Sequence, residues 1–130
     1  MKFLCLICAE KMMEHMPPDV AARHFDEYAA FTRDIRASGH LVALNRLLPP
    51  SAATTIRVRN GLVAVTDGPF AETKEQLGGY YVIEARDRDE AIAIAARIPG
   101  AAQGCVEIRP VAEDVQTQAA LGLPPAGEGA

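Results

Sequence analysis

The sequence predicts an α+β fold in which two helices pack against one antiparallel sheet. Strand-like runs and helical patterns alternate in the order strand, helix, strand, hairpin, strand, helix, strand. The pair Asn60-Gly61 stands between two runs of alternating hydrophobicity, which is the strongest short signal of a β-hairpin. A chain of 130 residues is the usual length of one domain with one core. We expect this domain to span residues 1–112, with a flexible tail over residues 113–130 that is rich in Ala, Gln, Gly and Pro.

The first strand and the first helix come at the start of the chain. Apolar residues lie on both faces of residues 2–10, which predicts a strand that is covered on both sides. Pro17-Pro18-Asp19 opens the helix, and Ser38-Gly39 ends it. One stripe of this helix combines apolar side chains with a histidine, and it consists of Val20, His24, Tyr28, Phe31 and Ile35.

The central hairpin has a register that its turn defines. If Asn60-Gly61 forms a two-residue turn, Ile56 lies opposite Val65. In the same register, Thr54 lies opposite Asp67. One hairpin face is then apolar, with Asp67 at its edge. The other face carries Arg57 and Arg59. We expect this face to be exposed, with its charges preventing association with other strands. The alternative is that the two arginines contact an anion or a partner.

The remaining elements have equally local signals. Strands are predicted over residues 40–48, 79–85 and 105–111. The second helix begins at Asp87, with Glu90 three residues later as in a capping box. Its inner face is apolar and consists of Ala91, Ile94, Ala95 and Ile98.

The order of elements defines both a topology and a surface. Two strand–helix–strand units that share one antiparallel sheet give the ferredoxin-like sandwich. Two helices cover only one face of the sheet, while the other face also carries apolar residues. An uncovered apolar face needs a partner, and the economical partner is a second copy related by a two-fold axis. The sequence therefore predicts a homodimer.

Charge and hydrophobicity argue against several classes of function. The formal net charge of −4 argues against direct nucleic-acid binding. No apolar run approaches the roughly 20 residues of a membrane helix, and the N-terminus resembles a strand more than a signal peptide. We therefore expect a cytoplasmic protein without membrane contact. Cys5 and Cys8 lie three apart in a strand, so they are expected to be buried small hydrophobes on opposite faces rather than a redox pair or metal knuckle.

A long motif connects the hairpin to the next strand. The run DGPFAETKEQLGGYYVIEARDRDEAIAIAARIP, followed by GCVEIRPV, closely resembles the DGPF proteins of the YCII-related group. The resemblance extends from residue 1 to about residue 112. It implies a ferredoxin-like fold that dimerises through its sheets into an α+β barrel. It also implies two kinds of function, because related small YCII proteins have been interpreted as enzymes with a His and an Asp near a cleft, whereas DGPF members are often encoded near, or fused to, extracytoplasmic-function sigma factors.

Two residues are candidates for acid–base catalysis. Asp67, which the resemblance also selects, lies at the edge of an apolar face, where partial desolvation would suit it to act as an acid or a base. The alternative is a turn residue that accepts bonds from backbone amides. His24 is either a hydrogen-bonded core residue or a ring that faces the cleft with Asp67 or Tyr28 as its partner.

Further residues are candidates for contacts with a ligand. Phe70 is expected to be a core or pocket-wall anchor, and Tyr28 is a further contact. Gly78 and Gly79 either mark a bulge or leave room for a ligand. No cofactor and no metal site are expected, because no two histidines have ligand spacing on one element. The remaining candidates form either a charged rim that attracts an anionic group or a solvated loop, and they are Glu72, Lys74 and Glu75.

These residues support three hypotheses about function. The leading hypothesis is a homodimer that binds a small organic molecule in a cleft near the loop from Asp67 to Glu75 and performs acid–base chemistry there. The alternative is a regulatory or interaction protein that is linked to an extracytoplasmic-function sigma factor pathway. A third hypothesis is a structural dimer module in which the motif only secures the fold.

Overall fold

The computed structural model describes residues 1–10 and 15–122, and within them it has the predicted α+β architecture. Two 3₁₀ turns, Pro50–Ala52 and Pro99–Ala102, interrupt the longer connections. The predicted order of strands and helices is confirmed, with one additional helix near the C-terminus. The elements are β1 (Lys2–Glu10), α1 (Pro18–Ala37), β2 (Leu41–Arg46), β3 (Thr54–Arg59), β4 (Leu62–Asp67), β5 (Glu75–Glu84), α2 (Arg88–Ala95), β6 (Gly104–Pro110) and α3 (Val115–Leu121).

Four strands form the main sheet in the order β2-β5-β1-β6, with every neighbouring pair antiparallel. This is the ferredoxin-like arrangement that the two strand–helix–strand units predict. β5 begins at Glu75, four residues before the predicted start, and the glycine pair therefore lies inside the strand. The pairing of β1 with β5 passes from Ile7↔Gly79 to Cys8↔Leu77, so Gly78 is the extra residue of a bulge.

The core lies between the sheet and helices α1 and α2. Phe3 and Cys5 of β1 are buried, and Tyr81 of β5 meets Phe31 of α1 edge to face, with ring centroids 5.4 Å apart. The four residues predicted for the inner face of α2 and its end are all buried. Side chains on the opposite sheet face are only half-buried, and they include Leu4, Leu6, Tyr80 and Val82.

Helix α2 begins as its sequence predicts. The carboxylate of Asp87 accepts a hydrogen bond from the backbone N–H of Glu90 at 2.9 Å. The Glu90 carboxylate in turn accepts a hydrogen bond from the backbone N–H of Arg86 at 3.1 Å. Two N–H groups at the start of the helix are thus satisfied by side chains, in a variant of the capping box.

The hairpin β3–β4 has the predicted register but forms a separate two-stranded sheet. Ile56 pairs with Val65, and Thr54 pairs with Asp67. The apolar hairpin face is open to solvent, since Ile56, Val58, Val63 and Val65 are between 54% and 66% exposed. The expectation that Asp67 is partly desolvated on this face is therefore wrong, and Asp67 is exposed. Pro49 and Pro50 lack the N–H groups that would extend the ladder of β2 toward the hairpin.

The C-terminal segment contains a short helix within the predicted tail. Asp114 caps α3 by accepting a hydrogen bond from the N–H of Thr117 at 2.8 Å, and Gly122 ends the helix in the left-handed conformation. No residue of α3 is buried. The predicted flexibility of this segment stays a prediction, and residues 123–130 lie outside the described part of the chain. No helix among the described residues is long and apolar enough to cross a membrane.

Candidate functional site

A cleft of about 710 Å³ lies between helix α1 and the edge strand β2. Its volume falls in the range of small-molecule sites. One side of α1 forms the first wall, and β2 with residues 47–50 forms the second. The bulged start of β5 contributes to the same cleft. The lining is mostly apolar, and its largest apolar residues include Phe25, Leu44, Leu47, Leu48 and Leu77.

His24 and Tyr28 stand one helical turn apart on the α1 wall. Their rings meet edge to face, with centroids 4.9 Å apart. The Nδ1 atom of His24 is buried and has no hydrogen-bond partner in the described part of the chain. An unsatisfied buried polar atom costs about 1–3 kcal/mol, so a rotation of the ring that brings this nitrogen to a ligand group in the cleft would relieve that cost. The structure therefore does not make His24 a hydrogen-bonded core residue.

The hydroxyl of Tyr28 is held by a backbone group across the cleft. It accepts a hydrogen bond from the N–H of Gly100 at 3.0 Å. Burial raises the pKa of Tyr28, while the Gly100 N–H lowers it to a smaller extent. The phenol is therefore protonated at neutral pH, and its own proton can be donated to a ligand. A Cβ atom at position 100 would lie only 2.5 Å from this hydroxyl, which explains the glycine there.

Two further hydroxyl groups, which are hydrogen-bonded to each other, also line the cleft. Thr32 Oγ1 and Tyr81 Oη are 2.7 Å apart, and Thr32 also donates to the carbonyl of Tyr28 at 2.7 Å. Burial raises the pKa of Tyr81, and the hydrogen bond with Thr32 lowers it by less. Both tyrosines are therefore hydrogen-bond donors at neutral pH. Together they place polar atoms in a mostly apolar cleft.

The cleft brings together four of the nine residues that the sequence selected. His24, Tyr28, Gly78 and Gly79 line it. Gly79 also permits close contact with β2, because a Cβ atom there would lie 3.0 Å from the Asn45 carbonyl oxygen. The five residues that do not line the cleft are Asp67, Phe70, Glu72, Lys74 and Glu75.

The loop that begins at Asp67 is anchored at the base of the hairpin. The N–H of Gly68 donates to the Ala53 carbonyl at 2.7 Å, and Thr55 donates to the Gly68 carbonyl at 2.7 Å. Gly68 has φ +105°, which favours glycine. Phe70 is 81% exposed, so the expectation that it anchors a core or pocket wall is wrong.

The charged part of this loop approaches the cleft without entering it. Lys74 Nζ lies 3.4 Å from a carboxylate oxygen of Glu10, which does line the cleft. Gln76, another lining residue, donates to the carbonyl of Thr73 at 2.8 Å. Glu72 is exposed. The loop is thus fastened to the cleft edge through Glu10 and Gln76.

Several lining residues were not selected from the sequence. Thr32 and Arg36 follow Tyr28 at intervals of four along α1, and this second stripe was a readable signal. Leu44 and Tyr81 carried no such signal, because their proximity depends on the pairing of β2 with β5. Within residues 1–10 and 15–122, no group of three or more His, Cys, Asp or Glu side chains is arranged to hold a metal ion.

The fold and the cleft together define a small ferredoxin-like α+β domain with a cavity between its first helix and its edge strand. Comparison with known proteins places the chain more narrowly. The YCII-related domain family matches residues 1–114. The chain therefore belongs to the YCII-related family.

Two individual proteins are also similar. An uncharacterised protein from Rhizobium meliloti (strain 1021) is 42% identical over 88 residues, which are 66% of this chain and 71% of that relative. The solved structure of 5-chloro-2-hydroxyhydroquinone dehydrochlorinase (TftG) from Burkholderia phenoliruptrix, in complex with 2,5-dihydroxybenzoquinone, matches with a TM-score of 0.50 and 14% identity. This match covers 89% of this chain and 98% of TftG, and it supports the assigned fold.

Proposed function

We propose that this protein binds a small organic molecule in the cleft between α1 and β2, and that His24 and Tyr28 perform acid–base chemistry on it. The observation that carries the proposal is His24, which lines a mostly apolar cavity of ligand size and whose buried Nδ1 has no hydrogen-bond partner among the described residues. Imidazole exchanges protons near neutral pH, which suits a general acid or base. TftG, a protein of similar fold, is named as a dehydrochlorinase, and its structure was solved in complex with 2,5-dihydroxybenzoquinone.

Each of the two residues has a separate role in this proposal. His24 takes up or releases the proton, because its ring nitrogen is not committed to another protein group. Tyr28 donates its hydroxyl proton in a hydrogen bond to the ligand, because the Gly100 N–H fixes the phenol oxygen while burial keeps it protonated. Asp67 has no catalytic role here, since it is exposed and does not line the cleft.

A thermal-shift screen against a panel of small metabolites tests this proposal. A ligand that binds only the folded state raises the melting temperature through mass action. The screen compares wild type with His24→Asn and Asp67→Asn, and His15→Asn, an exposed histidine outside the cleft lining, is the matched control. We expect a hit that is lost or weakened only in His24→Asn. A hit that persists in His24→Asn but vanishes in Asp67→Asn would move the site back to the loop from Asp67 to Glu75.

The proposal includes a homodimer. The half-buried apolar face of the main sheet and the exposed apolar face of the hairpin both support it. Isolated two-stranded hairpins are marginally stable, so a partner surface over β3 and β4 would stabilise them. We also propose that the chain belongs to the DGPF subgroup, because it carries the motif from Asp67 to Glu75.

The second candidate function is interaction with a regulatory partner, namely an extracytoplasmic-function sigma factor. The observation that favours it is the hairpin, which presents an exposed apolar face and Arg57 with Arg59 on the opposite face. A pull-down with wild type and Val58→Glu would test this candidate. Retention of the sigma factor by wild type alone supports it, and retention by neither protein argues against it.

A further inference from the structure

Three arginines line the cleft from two directions. Arg33 and Arg36 come from α1, and Arg46 ends β2. None of them makes an ion pair or a side-chain hydrogen bond within the described residues. Three other arginines of the chain behave differently, because each pairs with a carboxylate: Arg86 with Glu90, Arg97 with Asp34 and Arg109 with Glu107.

The one carboxylate among the described residues that line the cleft does not balance these charges. Glu10 is engaged by Lys74 at 3.4 Å. Around the cleft, the described charged residues therefore give a positive excess, although the chain as a whole has a formal net charge of −4. A cavity with low-dielectric walls and one sign of charge raises the local concentration of ligands of the opposite sign.

We infer that the ligand of this cleft is an organic anion, with a compact apolar body and one carboxylate group. This inference rests on the proposed function and adds the chemical class of the ligand. The apolar body packs against the leucines of β2 and the segment that follows it, chiefly Leu44 and Leu47. The guanidinium group is a planar fork that bonds a carboxylate through two parallel N–H groups, and the arginines supply it.

A pair of probes that differ only in charge tests the inference. 2-Naphthoate is an apolar anion, and 2-naphthamide is its neutral counterpart of similar shape. Calorimetric titration of both into wild type should show naphthoate binding about tenfold more tightly. In the variant Arg33→Gln/Arg36→Gln/Arg46→Gln, the two probes should bind about equally. The control Arg57→Gln/Arg59→Gln removes two arginines that do not line the cleft and should keep the wild-type preference.

The outcomes separate this inference from the proposed function. If naphthamide binds as tightly as naphthoate to wild type, the inference is overturned while the cleft remains a ligand site. A preference for naphthoate that survives in the triple variant also overturns it, because the anion is then held elsewhere. If neither probe binds to wild type, the inference fails together with the proposal that the cleft between α1 and β2 binds a small organic molecule.

A second inference rests on a different part of the sheet, where two cysteines face each other. Cys8 of β1 is the direct antiparallel partner of Cys105 of β6. Direct partners have Cα atoms about 4.5–5.5 Å apart, which lies within the range that a disulfide bridges. Cys5 is three residues from Cys8, lies on the helix-facing side of β1 and is fully buried.

The two thiols of the pair differ in exposure. Cys105 is exposed, whereas Cys8 is half-buried. Burial, together with the neighbouring Cys105, Glu75 and Glu107, raises the pKa of Cys8. The exposed Cys105 is therefore the thiol that meets an oxidant in solution first.

We propose that hydrogen peroxide converts Cys8 and Cys105 into a disulfide that links β1 to β6. The Cys105 thiolate attacks one peroxide oxygen, which forms a sulfenic acid and releases water after protonation. The Cys8 thiolate then attacks the Cys105 sulfur and displaces hydroxide, which leaves as a second water. Two thiols thus lose two protons and two electrons, and one peroxide is reduced to two waters.

Intact-mass spectrometry and thiol counting in denaturant test this proposal. Peroxide treatment of wild type should lower the mass by two hydrogen atoms and remove two of the three free thiols. Cys5→Ser should behave like wild type, while Cys8→Ser and Cys105→Ser should form no intrachain disulfide. Addition of oxygen atoms without loss of hydrogen, or a disulfide that requires Cys5 or links two chains, would overturn the proposal.

Discussion

At the scale of single residues, the cleft depends on the close packing of Gly100 against the Tyr28 hydroxyl. Gly100 lies against the Tyr28 hydroxyl and the side chain of Ile7, and an added Cβ atom would lie 2.5 Å and 2.9 Å from their nearest atoms. Gly100→Ala must therefore displace the phenol and break its hydrogen bond. We expect a loss of about 1–3 kcal/mol in the free energy of unfolding, measured by urea denaturation.

Gly78→Ala is the matched control for this prediction. Its added Cβ would meet only the Ile7 carbonyl oxygen, at 3.9 Å, which is ordinary van der Waals contact. Its effect on unfolding should be clearly smaller than that of Gly100→Ala. Equal losses in the two variants would contradict the role given to the contact between Gly100 and Tyr28.

The buried thiol of Cys5 gives a pH dependence with a defined direction. Burial raises the pKa of Cys5 from 9.0 to about 11. Well below pH 9.0 the thiol is protonated in both states, so its contribution to stability is fully present. As the pH rises toward about 11, the unfolded thiol ionises before the folded one, and stability falls.

The measurement is the free energy of unfolding across this alkaline range. Cys5→Ala should make the decline shallower without abolishing it, because burial also raises the pKa of Cys8, Tyr28 and Tyr81. Cys105→Ala removes an exposed thiol instead and should leave the decline close to that of wild type. If the free energy of unfolding of wild type stays constant from pH 9.0 to 11, burial does not raise the pKa of Cys5.

At the scale of elements, helix α2 depends on its cap. Asp87→Ala removes the carboxylate that accepts from the Glu90 N–H, and we expect a loss of about 1 kcal/mol in the free energy of unfolding. Asp89→Ala changes an acidic residue of the same first turn that is not the cap, so it should cost less. If urea denaturation gives the same loss for both variants, the effect is one of charge rather than capping.

The elements also show which features a sequence can predict. The register of β3 with β4 was predictable because Asn60 and Gly61 determine the turn locally. The exposure of Asp67 was not, because burial of a hairpin face depends on what packs against it and not on its own alternation. β5 extends beyond its predicted start because a bulge at Gly78 accommodates the glycine pair.

The candidate site was also predictable only where local spacing determines it. His24 and Tyr28 were predictable as residues of one helix stripe, since helical spacing alone places them together. The opposing wall, with Leu44 and Leu48, was not predictable because it depends on the pairing of β2 with β5 and on the path of the chain after β2. The residue types of the motif from Asp67 to Glu75 predicted a ligand site, yet the side chains of this motif lie outside the cleft.

At the scale of the whole molecule, the exposed hairpin predicts association. Val58 and Val63 are 54% and 66% exposed in the single chain, so Val58→Lys/Val63→Lys should change monomer stability little. If a second copy covers this face, the same substitutions should convert a dimer into a monomer in sedimentation at micromolar concentration. A wild-type protein that sediments as a monomer would contradict the proposed homodimer.

The most direct test of the central claim, that the cleft between α1 and β2 holds the ligand, uses tryptophan as a local reporter. The chain contains no Trp, so Leu48→Trp introduces a single Trp at the cleft, which can be excited selectively over the three tyrosines. Leu62→Trp is the control, because Leu62 is equally exposed, at 74%, but lies on the hairpin beside Arg59. We expect 2-naphthoate to quench the fluorescence of Leu48→Trp saturably and to leave Leu62→Trp nearly unchanged. Quenching of Leu62→Trp alone, or of both variants at the same concentration, would contradict the assignment of the site to this cleft.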